Sequence, residues 1–357
     1  MEPISREELL EALDAGGAHE GPIRLGGACL AEADLFGIEL PGAVMSHSDL
    51  TETDLRGGDL RGADLTGATL RQARLRGANL SGALLSANLQ EAELNDAILD
   101  GASATGAVLS EANLTNASLA GADLSSSDLK GSDLSRAHGE GVNLAGADLT
   151  GTTIRGGQLK GAVLKGATLL LADLRELRAP NSQLAESRFR GANLTACDLS
   201  GSQVSRTDLS ECALANATLT GLRGDAPVLV ESDLNHCDLS DSFIPNAKLD
   251  NTDLTGAKLN NAELTGSSFD GAKMGFAKLI DASLTHAKIR EADLTRADLK
   301  GANLEHADLQ GSNLEYADLR GARLKGANLK GCFLMGANLV DADIDDAILP
   351  RVGGFKR

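Results

Sequence analysis

Residues 63–80 read Ala63-Asp64-Leu65-Thr66-Gly67-Ala68-Thr69-Leu70-Arg71-Gln72-Ala73-Arg74-Leu75-Arg76-Gly77-Ala78-Asn79-Leu80. Leucine recurs every five residues, and the run extends back through Leu60, Leu55 and Leu50. Two positions before each centre stands a small residue, as at Ala63, Ala68, Ala73 and Ala78. One position before it, Asp or Asn is frequent, as at Asp49, Asp54, Asp59, Asp64 and Asn79. Five residues advance an α-helix by roughly 500°, so successive centres would never share a helical face. An odd period on a straight strand throws alternate centres to opposite sides. Both conflicts vanish if the chain turns once per unit.

In such a coil the small residue and the leucine, two apart, both point inward on a short extended segment. Gly and polar residues take the corner, where tight backbone geometry favours them. One coil cannot bury its own leucines, so coils must stack, each covering the next. Burial of a leucine contributes about 1.5–3 kcal/mol, and stability accumulates coil by coil.

The unit Ala63-Asp64-Leu65-Thr66-Gly67 resembles the consensus A-[D/N]-L-x-x of the pentapeptide-repeat proteins. That resemblance implies an all-β solenoid, a right-handed quadrilateral β-helix with four units per turn. The period alone leaves three units per turn open. The match runs from Leu25 to Leu349, roughly 65 units. Four units per turn then imply about 16 coils and a rod roughly 75–80 Å long at the strand spacing.

The expected organisation is a capping helix over 1–20, a pentapeptide-repeat β-helix over 21–349 and a tail over 350–357. Ser5-Arg6-Glu7-Glu8 reads as a capping box, Leu9, Leu10 and Leu13 as an apolar stripe, and Gly16-Gly17 as the stop. Such a short α-helix would cap the open first coil. Centres fall on multiples of five through Leu85 and then shift to Leu89, Leu94 and Leu99. One residue is therefore missing within 81–89, which predicts a tightened corner or a slight bend. Ala104, Gly139, Ala179 and Gly224 are undersized centres, and Leu177 and Leu222 stand where they could refill the volume. Pro227 at an inner position marks Gly224–Pro227 as the least regular corner.

The formal net charge is −18, and there is no Trp and one Tyr. An acidic surface argues against direct binding of a nucleic-acid backbone. Residues 1–54 hold twelve acids against Arg6 and Arg24, so the negative charge concentrates at the N-terminal end. Met1-Glu2-Pro3 opens acidic, and no apolar stretch approaches the roughly 18 residues of a membrane helix. The expected location is cytoplasmic, away from membranes.

Chemistry-bearing residues read as parts of the repeat. Cys197, Cys212, Cys237 and Cys332 hold the inner small position and act there as small hydrophobes. Cys197 and Cys237 would lie two coils apart, about 9–10 Å, too far for a disulfide. His286 and His306, twenty apart, should stack on adjacent coils, but two imidazoles fall short of the three or four ligands of a zinc site. The acids Asp341, Asp343, Asp345 and Asp346 lack EF-hand spacing. No nucleophile elbow or phosphate loop is present. The sequence therefore points to no catalytic, cofactor-binding or metal residues, and to no enzyme.

The expected function is a non-enzymatic structural or protein-interaction rod that binds a protein partner through flat polar faces. The candidate partner-binding face is acidic: Glu32, Asp34, Glu39, Asp49, Glu52 and Asp54. The resemblance also implies two alternatives. One is a DNA-mimicking regulator or protector of a type II topoisomerase such as gyrase, against which stand the interleaved Arg188, Lys248, Lys258, Lys278 and Lys288. The other is an accessory of a bacterial secretion system. At the C-terminal end Val352 and Phe355 could fold over the last coil, or that coil stays open and forms a homodimer, as the resemblance implies.

Overall fold

The computed structural model describes Leu9 and residues 22–350. The expected capping helix and the C-terminal tail lie outside the described residues, apart from Pro350 and from Leu9, whose side chain is buried. Two compact units carry the chain, Met1–Ser182 and Gln183–Arg357.

The residue before each centre forms a parallel bridge to its counterpart one coil on. In the first unit these bridges make four rows, beginning Arg24–Val44–Asp64, Cys29–Asp49–Thr69, Asp34–Asp54–Arg74 and Glu39–Asp59–Asn79. The twenty-residue step settles the number of units per turn at four. The second unit repeats the arrangement in rows that begin at Gln183, Arg188, Asn193 and Asp198.

Why five residues suffice for one side of the coil is visible in the backbone donors around Leu60. The Leu60 N–H donates to Asn79 O on the next coil at 2.7 Å, and Gly62 N–H to Ser81 O at 2.9 Å. The Asp64 N–H donates to Ala43 O on the preceding coil at 2.8 Å. The Ala63 N–H closes the corner onto Leu60 O at 3.0 Å. The remaining donor, Arg61 N–H, goes to Asp59 Oδ1 at 3.2 Å. All five donors of the unit are thus satisfied, and the last one explains the preference for Asp or Asn before the centre. A short acceptor two residues back makes an Asx turn where no carbonyl can reach.

The corner closes from centre to third residue with φ positive at the second residue past the centre and negative at the first, the signature of a type II turn. Gly62 sits there at φ 64°, but so do Glu52 at 55°, Asn116 at 57° and even Phe276 at 58°. Inside, the leucines and alanines form a continuous core: Leu50, Leu55, Leu60, Ala63 and Leu65 are fully buried. Where the inner small residue is Ser or Thr, its hydroxyl donates to a centre's carbonyl. Ser48 Oγ reaches Met45 O at 2.7 Å and Thr53 Oγ1 reaches Leu30 O at 2.7 Å. This satisfies a buried polar atom that would otherwise destabilise the core.

The irregular sites have physical causes. Between Leu85 and Leu89 the corner loses one residue, and Ala87 N–H bonds to Leu85 O at 2.7 Å in place of the usual third-residue closure. The bridges step by nineteen there, as in Thr69–Asn88 and Leu84–Ser103, then return to twenty at Asn88–Val108. Gly139 leaves no void, because a Cβ built on it would lie 2.8 Å from Leu159 Cδ2, which fills the space. Leu177 and Leu222 are both buried, supplying volume beside the small centres Ala179 and Gly224. Pro227 has no N–H to close the corner onto Gly224, and that corner is a bend in which Gly224 takes φ 154°.

Gly224→Ala would set a Cβ 2.4 Å from Ser205 N, so it should cost about 1–3 kcal/mol by overpacking. Gly101, at φ 64° with open space around its Cβ direction, should accept Asn within about 0.5 kcal/mol. Chemical-denaturation midpoints of the two variants check the contrast; equal losses would contradict this account of the corners.

Candidate functional site

The residues before each centre and at each corner point outward, so the functional surface consists of straight rows of side chains repeating at the coil spacing. Within a corner and along a row, neighbours are near enough for charges to pair, and many of the arginines and lysines do. Arg61 donates Nε and Nη2 to both carboxylate oxygens of Asp59 at 2.8 and 2.6 Å. Arg175–Asp173 and Arg320–Asp318 repeat this fork within their own corners. Other pairs span adjacent coils, such as Arg206–Glu186 at 2.6 Å and Lys258–Asp238 at 3.2 Å. These forks hold the Asp59 and Asp318 carboxyls below their usual range, with the side-chain bonds from Arg61 and Arg320 the largest cause.

The acidic residues singled out near the N-terminal end do not share one face. Asp34 and Asp54 stand in one row, Asp49 in the row before it, and Glu39 in the row after it. Glu32 and Glu52 occupy successive corners between the rows of Asp49 and Asp54, at φ 59° and 55°. Glu32, Asp34, Asp49 and Glu52 are exposed and flank this corner. Asp54 is 4% exposed and engaged: Arg56 grips it at 2.6 Å and Arg74 approaches at 3.1 Å. Arg56 also lies over the exposed Phe36 ring, 5.6 Å from its centroid. Nothing in the sequence period marked Asp54 as different from Asp34; the signal was Arg74, twenty residues downstream in the same row.

Depressions on these faces are lined by charged and polar side chains. One is formed by Glu52, Gln72, Arg74, Glu91 and Glu93, another by Asp250, Asp270, Arg290, Glu291 and Gln310 among others. Such surfaces suit a macromolecular contact better than a small apolar ligand. His286 and His306 stack as expected, with centroids 5.2 Å apart and planes 10° apart. No group of three or more His, Cys, Asp or Glu able to hold a metal occurs among the described residues.

The cysteines are free thiols. Burial pushes Cys212 up to about 12 and Cys332 up to about 11, so neither is a thiolate nucleophile near neutrality. The Cys212 thiol donates to Phe189 O at 3.0 Å and the Cys332 thiol to Leu309 O at 2.9 Å, as an inner Ser does. No helix among the described residues is long and apolar enough to cross a membrane.

A five-residue turn, a twenty-residue bridge step and an aliphatic interior define a pentapeptide-repeat solenoid. The family model for pentapeptide repeats matches in eight copies, at 28–67, 63–86, 87–125, 117–156, 187–223, 247–285, 277–315 and 317–352. These cover well over half of the chain, which therefore belongs to the pentapeptide-repeat family. Members fold as right-handed quadrilateral β-helices and are generally structural or interaction proteins.

Among solved structures, the chain is 31% identical to HetL, a pentapeptide-repeat protein involved in heterocyst differentiation regulation in the cyanobacterium Nostoc. That match covers 74% of this chain and 90% of HetL, with a TM-score of 0.29. Similarity to QnrB1, a plasmid-mediated fluoroquinolone resistance protein, is 19% over 51% of this chain and 90% of that one, with a TM-score of 0.41. A thylakoid-lumen pentapeptide-repeat protein of Arabidopsis thaliana is 32% identical over 31% of this chain and 68% of its own, with a TM-score of 0.12. No curated protein matches the chain.

Asp54 carries a pH-dependent contribution. Its carboxyl titrates below the ordinary 3.8, chiefly because the Arg56 side chain donates to it. The stabilisation is therefore complete above that value and is lost as pH falls through the lowered one. Asp54→Asn should lower the denaturation midpoint at about pH 7, and the gap to wild type should close towards about pH 2. A gap unchanged across that range would contradict the ion-pair assignment.

Proposed function

We propose that the chain is a non-enzymatic scaffold that binds a protein partner through its polar faces. The observation that carries this reading is the surface itself: flat rows of outward side chains, locally charge-paired, with charged rather than apolar depressions. A partner with matching row spacing could make many shallow contacts at once, and none of them supplies the desolvated, pKa-shifted carboxyl that acid–base chemistry needs. The reading places the chain in the cytoplasm. The exposed corner of Glu32, Asp34, Asp49 and Glu52 is the candidate contact; Asp54 supports it structurally, and Glu39 lies round the next side.

The DNA-mimic alternative draws on the net charge of −18. It fits the rows less well, since Arg74 follows Asp54, and Lys258 and Lys278 follow Asp238, in the bridged columns.

A second copy of this chain is the proposed partner at the C-terminal coil. Leu314, Leu319, Leu324 and Leu329 are fully buried. One coil on, Leu334, Leu339 and Leu349 are half-buried, while Ile344 is 38% and Ile348 56% exposed. The N–H groups of Leu334, Leu339 and Ile344 have no backbone acceptor among the described residues, whereas Leu314, Leu319, Leu324 and Leu329 donate to the next coil. A core edge that no described residue covers, bordered by ladder donors without a described acceptor, suits a like surface on a second chain.

Two measurements check this function. Cross-linked capture from the native cell should retain a specific partner on the wild-type chain and lose it when Glu32, Asp34, Asp49 and Glu52 are reversed to Lys. Retention by both moves the contact off this corner, and no partner above background sinks the reading. Light scattering at micromolar concentration should give a dimer that Ile344→Glu converts to monomer; a wild-type monomer would remove the self-association.

A further inference from the structure

Phe276, Arg296 and Tyr316 occupy the same corner position on three successive coils of the second unit, twenty residues apart. The Arg296 guanidinium lies between the two rings, 5.8 Å from the Phe276 centroid and 5.4 Å from that of Tyr316. All three residues hold positive φ, at 58°, 58° and 58°. Glycine takes this position without strain at corner after corner. A bulky aromatic there costs backbone energy, and it leaves the rings 58% and 51% exposed, where they add nothing to the core. The fold does not require the arrangement.

Arg296 also departs from the charge pattern of the surface. Arg56, the other ring-stacked arginine, is closed by the carboxylate of Asp54. Among the described residues no carboxylate lies within ion-pair distance of the Arg296 guanidinium, and its side chain makes no hydrogen bond. Its position between the two rings restricts the group, and none of its N–H donors is taken by a carboxylate among the described residues. A guanidinium so held is preorganised for a two-pronged bond to a carboxylate. The ring rims flank the group with apolar surface. Lys273 and Lys278 are exposed on either side of Phe276, and Met335, whose carbonyl accepts the Tyr316 N–H at 2.9 Å, extends the patch with a 58% exposed side chain.

We infer that this corner is a docking site for a partner protein segment in which an aspartate or glutamate is flanked by apolar side chains. The carboxylate would bond the guanidinium of Arg296 while its apolar neighbours cover Phe276, Tyr316 and Met335. Lys278 adds positive charge beside Phe276, whereas Lys273 lies 3.8 Å from Asp253, and Asp293 and Asp298 hold the matching places beside Arg296, so the carboxylate is drawn chiefly by Arg296 itself. The site rests on the protein-binding reading and adds to it a location and a ligand chemistry separate from the acidic corner of the first unit.

The test is selection of a random-peptide display library on the full chain, followed by binding measurements on variants. Peptides enriched on the wild type should carry Asp or Glu between apolar residues. Their affinity should fall about tenfold or more on Arg296→Gln and on Arg296→Lys, which keeps the charge but loses the planar fork. Phe276→Asn and Tyr316→Asn should weaken binding similarly while leaving folding intact, because Asn tolerates the left-handed corner. Peptides that bind all variants equally would overturn this site and leave protein binding by other faces standing. Failure to enrich any peptide would overturn it as well. So would a single-stranded oligothymidylate probe that binds in place of the peptides and is lost on the same variants.

Discussion

The fold depends on one closed hydrogen-bond circuit per five residues. The chain must turn after every centre, and the turn must return four of every five N–H groups to backbone acceptors. Two donors pair with the next coil, one with the preceding coil, and one closes the corner. The fifth is taken by an Asp or Asn before the centre where one stands there, as Asp59 takes the Arg61 N–H, and elsewhere it faces outward at the corner. Each pairing contributes only about 0.5–1.5 kcal/mol net, but leaving such a donor unmet beside a dry aliphatic core costs about 1–3 kcal/mol. The repeat therefore tolerates wide variation at the corner and little in the identity of what points inward.

That rule shows where departures are absorbed. Deleting one residue near Ser86 shortens a corner bond from third-residue to second-residue closure, while the bridges on both sides persist with a nineteen-residue step. Pro227 removes a closing donor, and the turn opens to a bend without disturbing the Arg223–Phe243 and Val228–Lys248 bridges beside it. Inner Ser, Thr and Cys keep their polar atoms satisfied by reaching centre carbonyls, so they act as alanines with a tether.

Period, inner volume and corner chemistry were readable from Leu50 to Leu80 alone, because each depends on neighbours within five residues. The slip, the refilling by Leu177 and Leu222 and the irregular Gly224 corner were readable for the same reason. His286 and His306 were expected to stack through the twenty-residue step, but most other pairing at that step escaped. Asp54 looked like any other acid until Arg74 was placed beneath it. Phe276, Arg296 and Tyr316 looked like scattered corner residues until the twenty-residue step stacked them. Three units per turn would have paired Asp54 with Thr69 instead, so from the period alone the surface rows could not be assigned.

The same stacking explains how a repetitive surface can carry specific sites. When every row has nearly the same geometry, shape discriminates poorly, and selectivity must come from which charges remain uncommitted. Arg61, Arg175 and Arg320 spend their forks on acids of their own corners and present little to a partner. Exposed acids at the Glu32–Glu52 corner and the ring-held Arg296 are instead left without an internal counter-charge strong enough to close them. Surface ion pairs contribute roughly 0–1 kcal/mol to folding, so leaving a few open costs the solenoid almost nothing. On such a body, sites of recognition arise where local neutralisation is withheld, and their chemistry is that of the missing partner.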